Sequence, residues 1–288
     1  MSEKKRVVTD TMIGLEMAEI DMWSDRVSVT LGLNPGPFTG PGTNTYLIGT
    51  GRRRILLDTG QGVPGYIDLL ERALADTGGG DAIQEIVLTH GHPDHIGGVD
   101  GVRERFGGLE VSKKPCADYD GDLTFTAIDE GARIETEGAT LIALWTPGHA
   151  RDHLCFHLPE DRAVFTGDNV LGAGTTVIPP DGDLGAYMAS LERLLDVDVD
   201  VIYPAHGPVI RNAHSKVTEY LEHRRLRDAQ ILDALQSGES TVEGVVKRIY
   251  TDVPEFLHPA AAMSVRSHLR KLEAENEVRR DGESWERR

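Results

Sequence analysis

The segment Thr89-His90-Gly91-His92-Pro93-Asp94-His95 constrains this chain more than any other, because it follows directly on the apolar run Ile86-Val87-Leu88. Three imidazoles and one carboxylate between His90 and His95 put four metal-ligating groups where a buried strand ends. A helix would scatter these side chains around its surface, whereas a tight loop turns them inward together. A polar turn accounts for one or two histidines, but His-x-His-x-Asp-His is too dense for that reading. Imidazole with carboxylate suits zinc, and manganese or iron fits the same set.

The same arrangement recurs along the chain. Residues 26–33 and 44–48 read as strands, 54–58 as a strand ending in Asp58, and 139–145 as one followed by Thr146-Pro147-Gly148-His149. Residues 152–157 read as another strand, 163–168 as one ending in Asp168, and 199–204 as one followed by Ala205-His206. Helical spacing marks residues 64–75, 99–106 and 184–195. Asp and His thus arrive repeatedly at strand ends, which is how a β-sandwich assembles a metal site from rigid elements. The Gly78-Gly79-Gly80 run lacks the Lys-Ser/Thr of a phosphate-binding loop and reads as a connector.

Near His214 the glycines thin out and helical periodicity takes over. The division expected is a first domain over 1–214, which carries the His and Asp positions, and a second domain over 215–288. In the second, helices over 216–235, 241–250 (Thr241 as N-cap) and about 258–276 precede a small β-wing, an order that suggests a winged helix. Charge divides in the same place. Residues 1–214 carry 17 Lys and Arg against 33 Asp and Glu, a balance of −16, while 215–288 balance at −1.

A strongly acidic body repels polyanions at long range and disfavours nucleic acid as a substrate, unless a local basic patch overrides it. The arginines and lysine at 224, 225, 227, 266, 270 and 271 form either such a track or a solvated helix face interleaved with Glu. Met1–Asp10 has no apolar signal core, and no later run reaches about 18 apolar residues, so no signal peptide, no membrane span and a cytoplasmic or organelle-matrix protein are expected. Cys116 and Cys155 are too few and too far apart for a disulfide framework.

The ordered set His90-x-His92-x-Asp94-His95, His149, Asp168 and His206 resembles the motifs of the metallo-β-lactamase superfamily. Leu57-Asp58-Thr59-Gly60, Thr166-Gly167-Asp168 and Pro204-Ala205-His206-Gly207-Pro208 fall where those motifs require. Along its whole length the chain is similar to the beta-lactamase-like protein 2 group, through Asn34-Pro35-Gly36-Pro37, Gly42–Leu47, Gly172–Thr176 and the helical tail.

The resemblance implies an α/β fold, an αββα sandwich with the site on one edge and a winged-helix-like C-terminal domain. It implies two Zn2+ ions (or Mn2+ or Fe), one held by His90, His92 and His149, the other by Asp94, His95 and His206, with Asp168 bridging. It further implies catalytic roles for Asp94 and Asp168, with Asp58 orienting a ligand from behind. The leading expectation is hydrolysis of small ester-like substrates: carboxylic esters, thioesters or lactams. The alternatives are a single-stranded-RNA endonuclease, and a nucleic-acid-binding or dimerising module with a vestigial site. His153, His157, His214, His223, His258 and His268 lie outside the motif and read as ordinary histidines; Asn44 and Tyr46 read as hairpin polar positions.

Overall fold

A computed structural model describes residues 12, 14–77, 80 and 82–288. The readings made on Met1–Asp10 and on Gly78 and Gly79 lie outside the described residues. By its internal contacts the chain divides into two units. One comprises the residues through Trp145 with Asp152–Thr176 and Asp198–His214; the other comprises Thr146–Arg151, Val177–Val197 and Ser215–Arg288. The second unit thus joins Ser215–Arg288 with two segments from the first 214 residues.

The first unit is built on two sheets. One has seven strands in sequential order: β1 (Ile20–Ser24), β2 (Val27–Leu31), β3 (Asn44–Ile48), β4 (Arg53–Leu57), β5 (Ala82–Val87), β6 (Val111–Lys113) and β7 (Thr126–Ala127). It is antiparallel from β1 to β4 and parallel from β4 onward. The other runs β12 (Val201–Pro204), β11 (Ala163–Gly167), β10 (Leu154–Leu158), β9 (Ala139–Trp145) and β8 (Arg133–Thr136), with only β11–β12 parallel.

Period-two alternation explains how the layers form. Tyr46, Ile48, Ile55, Leu57 and Val87 point into the core between the sheets, where they meet Leu141, Phe156 and Phe165. The intervening Leu47, Leu56, Ile86 and Leu88 point to the opposite face, where they pack on helices α1 (Tyr66–Asp76) and α3 (Val99–Phe106). The short helices α2 (Pro93–Ile96) and α4 (Ala117–Asp120) complete the unit. This is the expected αββα sandwich of mixed sheets.

The second unit holds α5 (Leu184–Leu195), capped by Asp183, whose carboxylate accepts the Ala186 N–H at 2.9 Å. Next come α6 (Ala213–Gln236), α7 (Val242–Ile249), α8 (His258–Ala274) and the hairpin β13 (Val278–Asp281) and β14 (Ser284–Arg287). Thr241 caps α7, its hydroxyl accepting from the Gly244 N–H at 3.1 Å, as the sequence suggests. Val245, Val265, Leu269, Leu272, Val278 and Trp285 form the tail's own core. Helix, helix, helix, wing is the winged-helix order. Among the described residues no helix is long and apolar enough to cross a membrane.

Candidate metal centre

β4 and β5 are parallel neighbours, so their C-terminal ends lie side by side. β4 ends at Leu57, just before Asp58, and β5 leads into Thr89-His90. Asp58 adopts φ 59°, a left-handed conformation that a short acidic side chain tolerates better than most. Its buried carboxylate accepts the Thr89 N–H and Thr89 hydroxyl, each at 2.8 Å, and the Nδ1–H of His95 at 2.8 Å. Asp58 therefore fixes the entry of the His loop and the tautomer of His95, leaving the His95 Nε2 lone pair facing inward. The Thr59 N–H and hydroxyl both donate to the His95 carbonyl at 2.8 Å and pin the far end of the loop.

The donor atoms converge in two groups. His90, His92, His149 and Asp168 each offer a ligand atom within 4.8 Å of one another, and so do Asp94, His95 and His206. Asp168 faces both groups: its Oδ1 lies 3.1 Å from His206 Nε2 and 3.5 Å from His95 Nε2. Asp94 Oδ2 lies 3.3 Å from His206 Nε2 and 3.5 Å from His95 Nε2. His95 Nε2 is fully buried with no hydrogen-bond partner, an orphaned acceptor beside two carboxylates. A cation at these atoms satisfies both lone pair and carboxylates, so the residues present fit a divalent metal pair.

The electrostatics agree. Burial disfavours the charged form of His90, and neighbouring His95 and His92 add to this, so its pKa falls well below the usual range and the ring is neutral, as a ligand must be. For His206 burial works the same way, but Asp168 and Asp94 outweigh it and raise the pKa to about 9. In His95 burial is outweighed by Asp94, Asp58 and Asp168, and the pKa rises well above the ordinary value. Burial would raise Asp168 and Asp94, yet the imidazoles beside them pull both well down. The carboxylate field that favours imidazolium here would equally favour a bound cation in place of those protons.

Several contributors are not visible as motifs. Asn44 Nδ2 donates to the carbonyls of Pro204 and Gly207, both at 2.8 Å, and the Tyr46 hydroxyl donates to Pro204 O at 2.6 Å. These buried residues hold the turn after β12 that carries His206, a role beyond ordinary hairpin positions. His153 is fully buried and accepts the Asp168 N–H on its Nε2 at 3.1 Å, so it too is part of the centre's support. Lys113 is buried between Asp152, at 3.0 Å, and Asp120. The sequence offers one hint, the Asp152-His153 pair that begins three residues after His149.

Residues 38–206 match the metallo-beta-lactamase superfamily, and residues 241–285 match the beta-lactamase associated winged helix domain. The chain belongs to the metallo-beta-lactamase superfamily, whose members are mostly hydrolases. It is 44% identical over 260 residues to a beta-lactamase-like protein 2 homolog of Caenorhabditis elegans, covering 88% of this chain and 86% of that one. It is 41% identical over 247 residues to an atrochrysone carboxyl ACP thioesterase of Aspergillus chevalieri, covering 83% and 78% respectively. A metallo-beta-lactamase family protein from Thermus thermophilus shares the fold, with a TM-score of 0.76 at 24% identity over 93% of this chain and all of that one.

Proposed function

We propose that this chain is a binuclear metal-dependent hydrolase of ester-like bonds in small acyl substrates, with thioesters the foremost class. The observation that carries the reading is the pair of ligand groups sharing Asp168. A pair of divalent cations, when bound, supplies activated water near neutral pH and an electrophile for the oxygen that gains charge. His90, His92 and His149 would hold one and Asp94, His95 and His206 the other, with Zn2+ the metal this donor set suits best. Asp94 is the more open carboxylate, its side chain 22% exposed against 13% for Asp168. His95 and His206 keep it ionised, as a ligand must be, and its greater exposure would put it where a proton passes from the attacking water to the leaving group.

The choice of acyl substrate over RNA is supported from two sides. A relative with 41% identity is named as an acyl-carrier thioesterase. The basic residues of the tail are largely engaged within their own unit. Arg224 is buried beneath the Tyr187 ring, Arg227 stacks 4.1 Å over Tyr250, and Lys271 bonds Asp228 and Glu275 at 2.9 and 2.7 Å. Arg225 pairs with Glu192 and Arg266 with Glu243. These contacts leave little of a continuous cationic track, and the solvated-face reading fails equally for buried Arg224.

The test is turnover by zinc-loaded protein of an acyl thioester, a p-nitrophenyl ester, bis-p-nitrophenyl phosphate and a fluorescent single-stranded RNA, with His90→Ala as control. Thioester or ester turnover that vanishes in the variant is expected. RNA cleavage that vanishes in the variant, without acyl turnover, would replace this reading with the endonuclease. Turnover of none of them would leave a binding module.

A further inference from the structure

We infer that His153, which lies outside the superfamily's ligand motif, is a positioning residue that sets the peptide carrying the shared carboxylate Asp168. The inference rests on the reading of Asp168 as a metal bridge. The Asp168 N–H donates to His153 Nε2 at 3.1 Å, which requires an unprotonated Nε2 and so a neutral ring with its proton on Nδ1. The ring is fully buried, and its centroid lies 5.1 Å from that of His90. It therefore stands directly behind the ligands without joining either ligand group.

The turn it holds is built around it. Gly167 takes φ +49°, and a Cβ there would lie 2.6 Å from His153 Nε2 and 3.2 Å from the Thr89 Cβ. Glycine lets the end of β11 close onto the imidazole, where any other residue would push it away. On the opposite side the Thr176 hydroxyl donates to the Asp168 carbonyl at 2.7 Å. The Asp168 backbone is thus clamped at both its N–H and its C=O, by His153 and Thr176. A carboxylate that must face imidazoles from both groups has little rotational latitude, so its backbone has to be fixed before a metal arrives.

A merely space-filling histidine would be replaced without penalty by an apolar ring; a positioning acceptor would not. The test compares His153→Phe, which keeps bulk and loses the acceptor, with His153→Gln, whose side-chain oxygen restores it. Zn2+ is titrated calorimetrically into chelator-treated wild type and both variants, alongside thermal unfolding of the metal-free proteins. Expected are two tight equivalents in wild type, a loss of about 10–100-fold in affinity for at least one equivalent in His153→Phe, and recovery to within a few-fold in His153→Gln. Two equivalents at wild-type affinity in His153→Phe would overturn the positioning role and leave the metal centre standing. No tight equivalent in wild type would sink the metal-centre reading, and this inference with it. Should His153→Phe fail to fold, 15N spectra of the metal-free wild type decide: protonation of His153 at Nε2 overturns the inference, and protonation at Nδ1 alone upholds it.

Discussion

Two buried histidine–aspartate clusters in this molecule look alike in composition and differ in what they ask for. At the candidate centre, His95 and His206 face Asp94 and Asp168 at 3.1–3.5 Å, with His95 Nε2 left without a hydrogen bond. In the tail, Asp228 accepts from His268 Nδ1 at 2.7 Å and from Lys271 at 2.9 Å, and Arg224 and Arg227 lie near. Charge balance separates them. The first cluster raises His206 to about 9 because carboxylates surround it; in the second, burial, followed by Arg224 and Arg227, lowers His268 despite Asp228. The carboxylates of the first cluster would be balanced by a bound cation, whereas Lys271, Arg224 and Arg227 already supply that charge beside Asp228.

Changes at the two clusters should break in different ways. Asp168→Ala removes the shared carboxylate, and turnover is expected to fall on the order of 10⁴-fold, the scale of losing one member of a catalytic unit; steady-state rates beside a circular dichroism spectrum check that the fold persists. Asp228→Ala takes the acceptor from buried His268 and leaves Lys271 with Glu275 alone, which should cost about 2 kcal/mol of stability in denaturant unfolding while metal stoichiometry stays unchanged. If Asp228→Ala instead depleted metal, the separation between the clusters would be wrong.

Smaller effects sharpen the contrast. Asp58→Ala frees the His95 ring and the Thr89 turn, and zinc affinity is expected to drop about 10–100-fold without loss of the metal-free fold. Finally, burial with Arg224 and Arg227 lowers His223 to about 4. A depressed folded-state value means that its contribution is fully present above the unfolded value of about 6.5 and is lost as pH falls toward about 4. Unfolding midpoints measured across that window should decline in the wild type and decline less in His223→Gln.

How much could be read beforehand follows the same division. The residues that converge at the candidate centre were legible because their placement is local: His90 to His95 occupy one loop, and Asp58, His149, Asp168 and His206 each sit at or just beyond a strand end. What held them was less so. His153 and Asn44 act through backbone groups 15 and 160 residues away in sequence, and only strand pairing reveals such partners. β1 and β8 escaped notice because each is an edge strand: β1 has no fully buried position and β8 has only Ile134, which leaves no alternating apolar signal. In the tail the arginines were visible but not their environment, since a polar 24-residue helix gives no sequence sign that Arg224 is 4% exposed.

The central claim is that two metal ions share Asp168. The most direct measurement is metal content per chain after zinc loading and gel filtration, for wild type and Asp168→Ala. The account predicts two ions in the wild type and a loss of at least one in the variant. One ion or none in the wild type, or two retained in the variant, would contradict it.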